Sequence, residues 1–241
     1  MTAPAASSPK PAYRWVVLAA ATLAQASASF ALLGVPALAG FLQQDFGLSA
    51  AATGLLLTAT YAAPLFALLF VGDLLDRKSE RLIIGLGAAI LFVALLLAAA
   101  SNGFAALLLW LYVGGLGYSA TQPGGSKSVS VWFRGDRLGL AMGIRQAGLP
   151  LGGAVAAAIL PAMAAALSWR AAFVAGAVAA LGGGLVFALI YRSPPEETDA
   201  APRRASLSVA LVPACCASAG CTTPWWQDSR WSPPNTASLP G

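Results

Sequence analysis

The sequence predicts an all-α integral membrane protein with six transmembrane helices, from its composition, its uncharged stretches and its charge pattern. Of its 241 residues, 58% are hydrophobic and only 10% are charged, whereas a soluble domain has about 25% charged residues. Uncharged stretches recur at lengths that cross a bilayer, and Lys and Arg lie in alternate gaps between them. Because so few charges cannot cover a water-exposed surface, the class of soluble globular proteins is excluded.

Five of the six predicted spans are uncharged stretches of about 20 residues or more, the length that crosses the hydrocarbon layer. The span 139–167 contains Arg145, which the uncharged run 146–169 follows. Residues 82–126 carry no charge and are too long for one crossing, so the polar turn at 101–103 divides them. The predicted spans are 15–39, 50–71, 82–100, 104–126, 139–167 and 171–191, in a bundle of residues 15–192. The first stretch exceeds the length of a signal-peptide core, so we expect it to remain in the membrane.

The positions of Lys and Arg predict the orientation of the bundle. Gaps on one side of the predicted membrane hold eleven of the 14 basic residues, whereas gaps on the other side hold only Arg170. The eleven are Lys10, Arg14, Arg77, Lys78, Arg81, Lys127, Arg134, Arg137, Arg192, Arg203 and Arg204. Because basic loops stay in the cytoplasm, we expect a multi-pass protein of the cytoplasmic (inner) membrane, with residues 1–14 as a cytoplasmic tail and both termini cytoplasmic.

The sequence argues against enzyme chemistry. Histidine is absent, which removes the commonest general base and the imidazole ligand of metal sites. Residues 117–120 resemble the serine segment of a rhomboid-type protease, but that mechanism needs a histidine base. Residues 124–128 resemble a phosphate loop, but the glycine before Lys127 is missing. We therefore expect no catalytic residues, metal or cofactor. The basic residues are dispersed between apolar runs, so we expect no nucleic-acid partner either.

Residues 72–81 read Gly-Asp-Leu-Leu-Asp-Arg-Lys-Ser-Glu-Arg and lie in a predicted cytoplasmic loop. This segment resembles the loop between the second and third spans of the major facilitator superfamily, whose pattern is Gly-x-Leu-Ala/Ser-Asp-Arg-x-Gly-Arg-Arg/Lys. The matching residues are Gly72, Leu74, Asp76, Arg77 and Arg81. Ser79 and Glu80 depart from the pattern. An ordinary basic loop would explain the cations but not this spacing around a glycine.

The resemblance implies that the six spans are the amino-terminal half of a twelve-helix carrier, with the 72–81 loop acting in the conformational switch. Such a carrier is a secondary active transporter in which two six-helix bundles rock about a central solute site. The implied partners are membrane lipid, a small solute and either a second six-helix bundle or a second copy of this chain. The alternative is a non-transporting membrane fragment or assembly partner. Leu111 occupies a position where family members often carry an arginine, so proton coupling there is not implied.

The fifth predicted span has the small residues that let membrane helices approach closely. The predicted helix-packing positions are Gly139, Gly143, Gly148, Pro150, Gly152 and Gly153. The segment 148–153 is similar to the Gly-Pro-x-x-Gly-Gly motif of exchangers in the family, with the proline shifted by one residue. Prolines in four spans are expected to interrupt their helices. They are Pro36, Pro64, Pro123 and Pro150.

Polar residues within the spans are the candidates for solute binding, because they are costly in lipid. Arg145 either binds an anionic solute through its planar guanidinium or snorkels to the nearby interface. Five further candidates are either solute contacts or interhelical hydrogen bonds. They are Gln146, Gln25, Tyr61, Tyr118 and Gln122. The solute favoured by this set is an organic anion.

Residues 193–241 differ from the rest of the chain, with 8 of its 16 prolines and all three cysteines. Their first residues resemble the cytoplasmic linker that joins the two halves of a carrier. The apolar stretch 207–221 contains Pro213 and is too short for a seventh span, so we expect a disordered tail. Because the family's linker leads to more spans, the composition also indicates a frameshift or a cut gene after Arg192, and a truncated chain that does not transport alone.

Overall fold

A computed structural model describes residues 13–133 and 137–192, except for the side chains of 68–70, 73, 76 and 77. Within these ranges the chain forms eight α-helices and one 3-10 helix. They are α1 (Tyr13–Leu33), the 3-10 helix (Pro36–Leu38), α2 (Ala39–Phe46), α3 (Ala50–Arg77), α4 (Glu80–Ala99), α5 (Phe104–Tyr118), α6 (Thr121–Trp132), α7 (Leu138–Ala166) and α8 (Trp169–Ile190). The expected disordered tail and frameshift lie outside the described residues.

These elements combine into six segments that are long and apolar enough to cross a membrane, which confirms the six-span prediction. The segments are Tyr13–Phe46, Ala50–Ala67, Glu80–Ala99, Phe104–Trp132, Leu138–Ala166 and Trp169–Ile190. The first combines α1, the 3-10 helix and α2, and the fourth combines α5 and α6. The first and fourth spans are therefore discontinuous.

The first span is longer than predicted. The sequence placed its end at residue 39 and a loop at 40–45, but α2 continues to Phe46. Asp45 is compatible with this helical turn because its carboxylate accepts a 2.9 Å hydrogen bond from Trp169 Nε1. The helix ends where Gly47 adopts φ 60°, a left-handed conformation that glycine takes without steric cost.

The predicted 72–81 loop is also mostly helical. Helix α3 continues through Arg77, and α4 begins at Glu80, so only Lys78 and Ser79 separate them. The charges mark where the apolar stretch ends, but a helix can continue past the hydrocarbon layer. The family-like residues from 72 to 77 thus occupy the last turns of α3.

Two of the four prolines do not interrupt their helices as predicted. Pro64 lies within α3 and Pro150 within α7, which also contains Pro161. Neighbouring helices and local adjustment can satisfy the backbone groups that a proline frees in a membrane helix. Pro36 begins the 3-10 helix, and Pro123 lies in the first turn of α6, so these two prolines coincide with the breaks in the first and fourth spans.

The helices pack in a pattern with internal symmetry. Helix α1 packs along α7 and α8, and α4 packs along α5 and α8, whereas α3 packs mainly on α5. In terms of spans, the first contacts the fifth and sixth, and the fourth contacts the second and third. Exchanging the first three spans with the last three leaves this pattern unchanged, as expected for two inverted three-helix repeats.

Glycines make the closest of these approaches. A Cβ atom on Gly148 would lie 2.8 Å from the carbonyl oxygen of Thr22, and Gly152 lies directly against the carbonyl of Ala26. Gly153 faces Leu33. The predicted packing role is wrong for Gly139 and Gly143, since an added Cβ at either would have no described atom within 4 Å. Pro150 is likewise exposed on α7. The glycines near the start of α7 therefore face outward, and those further along face α1.

Polar contacts join the helices at both ends of the bundle. At one end, Lys127 Nζ lies 3.0 Å from Glu80 Oε1 and donates a 2.7 Å hydrogen bond to the carbonyl of Leu75. At the other end, Arg170 lies 3.6 Å from Asp45, beside the hydrogen bond from Trp169. The first contacts connect α3, α4 and α6, and the second connect α2 and α8.

Candidate functional site

Arg145 lies inside the bundle, between α1, α6 and α7. Its side chain is 0% exposed, so the alternative that it snorkels to the interface is wrong. Helix α7 presents Arg145 on the same face as Gly148 and Gly152, because residues three, four and seven apart share one side of a helix. The close approach of α1 at these glycines brings Arg145 beside Gln25.

Neutral oxygen atoms surround the guanidinium. Arg145 Nη1 donates a 3.0 Å hydrogen bond to Gln25 Oε1. Nη2 donates to the carbonyl oxygen of Gln122 at 2.8 Å, to its side-chain Oε1 at 3.2 Å and to Ser126 Oγ at 2.5 Å. Hydrogen bonds to these acceptors offset part of the free-energy cost of burying the charge.

Gln25 connects the guanidinium to a second polar group. Its amide Nε2 donates hydrogen bonds of 3.3 Å to Tyr118 Oη and to Ser29 Oγ. The two hydroxyl groups lie 3.4 Å apart. Gln25 therefore accepts from Arg145 with one end of its amide and donates to the hydroxyl pair with the other, which fixes its orientation.

The positive charge of Arg145 has no counter-charge in the described part of the chain. No described carboxylate lies within 4.0 Å of it, since the ion pairs found there involve Lys127 and Arg170. The Nε atom is buried and has no hydrogen-bond partner. An unpaired guanidinium with a free donor in a low-dielectric interior attracts an anion strongly.

Gly125 makes room for this arrangement. A Cβ atom there would lie 3.1 Å from Arg145 Nη1 and 3.4 Å from Cζ. The guanidinium therefore lies close to the backbone of α6 at Gly125. Within residues 124–128, which resemble a phosphate loop in sequence, Gly125 and Ser126 contact Arg145, whereas Lys127 pairs with Glu80.

The structure brings together four of the six predicted binding residues and separates the other two. Arg145, Gln25, Gln122 and Tyr118 belong to one hydrogen-bonded cluster. Gln146 follows Arg145 but is exposed, because neighbouring residues point to different faces of a helix. Tyr61 is 36% exposed on α3. No hydrogen bond to either residue is found among the described residues.

Sequence reasoning missed Ser29, Ser126 and Gly125. A signal for the two serines was present, because each lies four residues after a glutamine, on the same helical face. The pairs are Gln25/Ser29 on the first span and Gln122/Ser126 on the fourth. These are the two discontinuous spans, and interrupted segments at corresponding positions of two repeats mark the binding sites of many transporters.

The residues of the predicted conformational switch lie apart from this cluster. Gly72 and Leu74 are exposed on α3, and Arg81 is exposed on α4. The side chains of Asp76 and Arg77 are among those not described. Leu111, at the family's arginine position, is buried in the core.

Comparison with known proteins identifies the family of this chain. The model of the Major Facilitator Superfamily matches residues 17–233, about nine-tenths of the chain. An uncharacterized MFS-type transporter of Mycobacterium tuberculosis is 30% identical over 151 residues, 63% of this chain and 34% of the relative. A probable L-galactonate transporter of Escherichia coli is 30% identical over 171 residues, 71% of this chain and 38% of the relative.

A third relative is more distant. The probable sulfoacetate transporter SauU of Cupriavidus necator is 25% identical over 160 residues, 66% of this chain and 37% of the relative. The chain thus spans about a third of the length of the curated relatives it matches.

The fold comparison gives a consistent result. A bacterial homologue of the human lysosomal transporter Spinster, solved in an inward-facing and unoccupied conformation, matches with a TM-score of 0.70 and 21% identity. The match covers 78% of this chain and 45% of that structure. At this identity the comparison supports the fold alone. Six spans in this arrangement, together with the family match over most of the sequence, establish that the chain belongs to the major facilitator superfamily.

Proposed function

We propose that this chain is the amino-terminal half of a secondary active transporter for a small organic anion, with Arg145 as the main anion-binding residue. The observation that carries the proposal is the buried guanidinium, which has neutral acceptors, an unpartnered Nε and no described carboxylate beside it. The names of two relatives support an anionic solute, since galactonate and sulfoacetate are both organic acid anions.

The geometry suits a carboxylate or sulfonate group. A guanidinium can donate two parallel hydrogen bonds to two oxygens of one anion. Gln122 and Ser126 are neutral groups that accept hydrogen bonds from Nη2. An entering anion replaces them at Nη2 and pairs with Nε. Gln25 and Tyr118 hold the other side of Arg145 in place.

We further propose that both termini are cytoplasmic and that a second six-helix bundle completes the carrier. The excess of basic residues on one side supports a cytoplasmic location for both termini in the inner membrane. Transport by rocking requires a second six-helix bundle opposite the first. Either a longer chain or a second copy supplies it.

Titration of the purified chain in lipid nanodiscs tests the binding step. Galactonate and sulfoacetate are titrated against wild type, with galactose as an uncharged control, and heat release is measured. Arg145→Gln keeps hydrogen-bonding groups but removes the charge, so affinity should fall roughly 10- to 150-fold, the loss of one charge-assisted contact.

A matched variant separates a local effect from a general loss of charge. Lys78→Gln removes a cation from the exposed turn between α3 and α4 and should leave affinity unchanged. Equal affinity of wild type and Arg145→Gln for both anions contradicts the proposal. Normal binding without uptake into proteoliposomes, even when a second six-helix bundle is supplied, would instead support the alternative function, a non-transporting bundle or assembly partner.

A further inference from the structure

An apolar groove lies on the outer side of α1, away from the Arg145 cluster. It has a volume of about 430 Å³. Its lining is Trp15, Leu18, Ala19, Thr22, Leu23 and Ala26 of α1 with Ile144, Gly148 and Leu151 of α7. Along α1 the lining extends over eleven residue steps, about 16 Å at 1.5 Å per residue. This is about half of a 30 Å hydrocarbon layer, the depth of one leaflet.

The contacts of α1 with its neighbours leave this groove on the outer surface of the described bundle. One face of α1 lies against α8, where Gly183 meets Ser27 and Ala24. Another face lies against α7 at Gly148 and Gly152. The groove runs along the outer edge of the α7 contact and shares Gly148 with it, whereas Gln25 turns inward to Arg145.

Two arginines mark the end of the groove at which α1 and α7 begin. Arg14 precedes Trp15 in the first turn of α1, and its guanidinium lies 5.9 Å from the Trp15 ring and 5.7 Å from the Phe133 ring. Arg137 is exposed at the start of α7. It precedes Ile144 by seven residues, and Ile144 precedes Leu151 by seven, so all three lie on one face of α7.

Neither arginine has an acidic partner within the described ranges. The ion pairs found there involve Lys127 and Arg170, and the Nε atom of Arg14 is buried with no hydrogen-bond partner. The first backbone N–H groups of α1 add a partial positive charge at the same end. A pair of cations without a described acidic partner, above an apolar groove one leaflet deep, is complementary to a lipid with an anionic head.

We propose that this groove binds one anionic phospholipid of the leaflet at which α1 and α7 begin. The phosphate lies between Arg14 and Arg137, and an acyl chain follows the groove past Ala19 and Leu23 to Ala26. The ring of Trp15 lies at the level where head group and chain join, the position that tryptophan favours in membranes.

Native mass spectrometry of the purified chain tests this proposal, with phosphatidylglycerol and phosphatidylcholine of identical acyl chains as probes. Wild type should retain one phosphatidylglycerol in preference to phosphatidylcholine. Arg14→Gln and Arg137→Gln should each lower that preference about fivefold, and the double variant roughly 25-fold, the effect expected of cations beside an anionic lipid. Lys78→Gln, an exposed cation at the same end between α3 and α4, should have no effect.

A second variant tests the groove independently of charge. Ala19→Phe fills it and should reduce retention of both lipids, while Val178→Phe on the exposed face of α8 should not. Photocrosslinking from an acyl-chain diazirine should label peptides containing residues 19–26 and 144–151. Equal retention of phosphatidylglycerol by wild type and the double arginine variant overturns the proposal. Labelling confined to other helices, or a second copy of the chain crosslinked at Ala19→Cys, overturns it as well.

Discussion

Gly125 is the residue that allows the guanidinium of Arg145 to lie close to α6. Its missing side chain leaves the guanidinium within hydrogen-bond distance of both Gln122 and Ser126. Helices α6 and α7 meet here through the hydrogen bonds of Arg145. A small shift of one helix against the other therefore changes the lengths of these hydrogen bonds. The site is therefore sensitive to atoms that never touch the solute.

Gly125→Ala should weaken anion binding while the bundle still folds. The new Cβ, 3.1 Å from Nη1, shifts the guanidinium by a few tenths of an ångström and lengthens its hydrogen bonds. We expect an affinity loss of about 1 kcal/mol, measured by calorimetry. Gly139→Ala is the control, since a Cβ there meets no described atom within 4 Å. Unchanged affinity in Gly125→Ala would contradict this positioning role.

The polar residues of this site could be found in the sequence, but their meeting point could not. Arg145, Gln25 and Gln122 are conspicuous because ionisable and amide groups are costly within apolar spans. Their convergence depends on how α1, α6 and α7 rotate against each other, which the glycine contacts determine. The same limit explains why Gln146, next to Arg145, was included as a candidate although it faces outward.

At the level of whole helices, the contact of α1 with α7 depends on Gly152. Gly152→Ala would place a Cβ against the carbonyl of Ala26 and 2.9 Å from Ser29 Cβ, so the two helices must separate. We expect a loss of about 1–3 kcal/mol, typical of overpacking, seen as a lower unfolding temperature in detergent. Gly143→Ala on the outward face should be neutral. Equal unfolding temperatures of the two variants would show that this contact is looser than described.

The contact between α4 and α6 should respond unequally to removal of its two charges. Glu80 is 3% exposed, and Lys127 is its ion-pair partner. Lys127→Met leaves the buried carboxylate of Glu80 without this cation and beside Tyr191 Oη at 3.4 Å. The loss of stability should therefore be larger than for Glu80→Gln, on the order of 1–3 kcal/mol given the partial exposure of Lys127.

Thermal unfolding of the double variant checks this asymmetry. Adding Glu80→Gln to Lys127→Met should recover part of the lost stability, because the uncompensated charge is gone. A double variant less stable than Lys127→Met would mean that Glu80 acts through other contacts.

The number of membrane spans follows from the uncharged stretches, but the ends of the helices do not. Charge-free runs locate the apolar middle of a span, whereas a helix continues until its backbone is capped or broken. Thus α3 includes Arg77, and α2 includes Asp45 and ends at Gly47. The breaks at residues 34–35 and 119–120 lie inside uncharged stretches and leave no mark in the charge pattern.

For the whole molecule, the charge pattern predicts which side of the membrane each connection faces. Alkaline phosphatase fused after Gly47 or Asn102 should be active, because these connections are predicted to lie outside the cytoplasm. Fusion after Arg192 should be inactive, and a fluorescent protein there should be bright. Activity after Arg192 would reverse the orientation of the entire bundle.

The neighbours of α1 have a consequence for how the protein is made. Helix α1 leaves the ribosome first, but its principal partners, α7 and α8, are the last two of the described helices. About 136 residues separate Leu33 from Trp169, which at roughly 5–20 residues per second means a delay on the order of ten seconds. During that time Gln25 has no Arg145 to pair with, and the small residues of α1 face lipid or the insertion machinery. The contacts of α1 in this bundle therefore form only after α7 and α8 have been synthesised, and until then α1 is the described helix that waits longest for its partners.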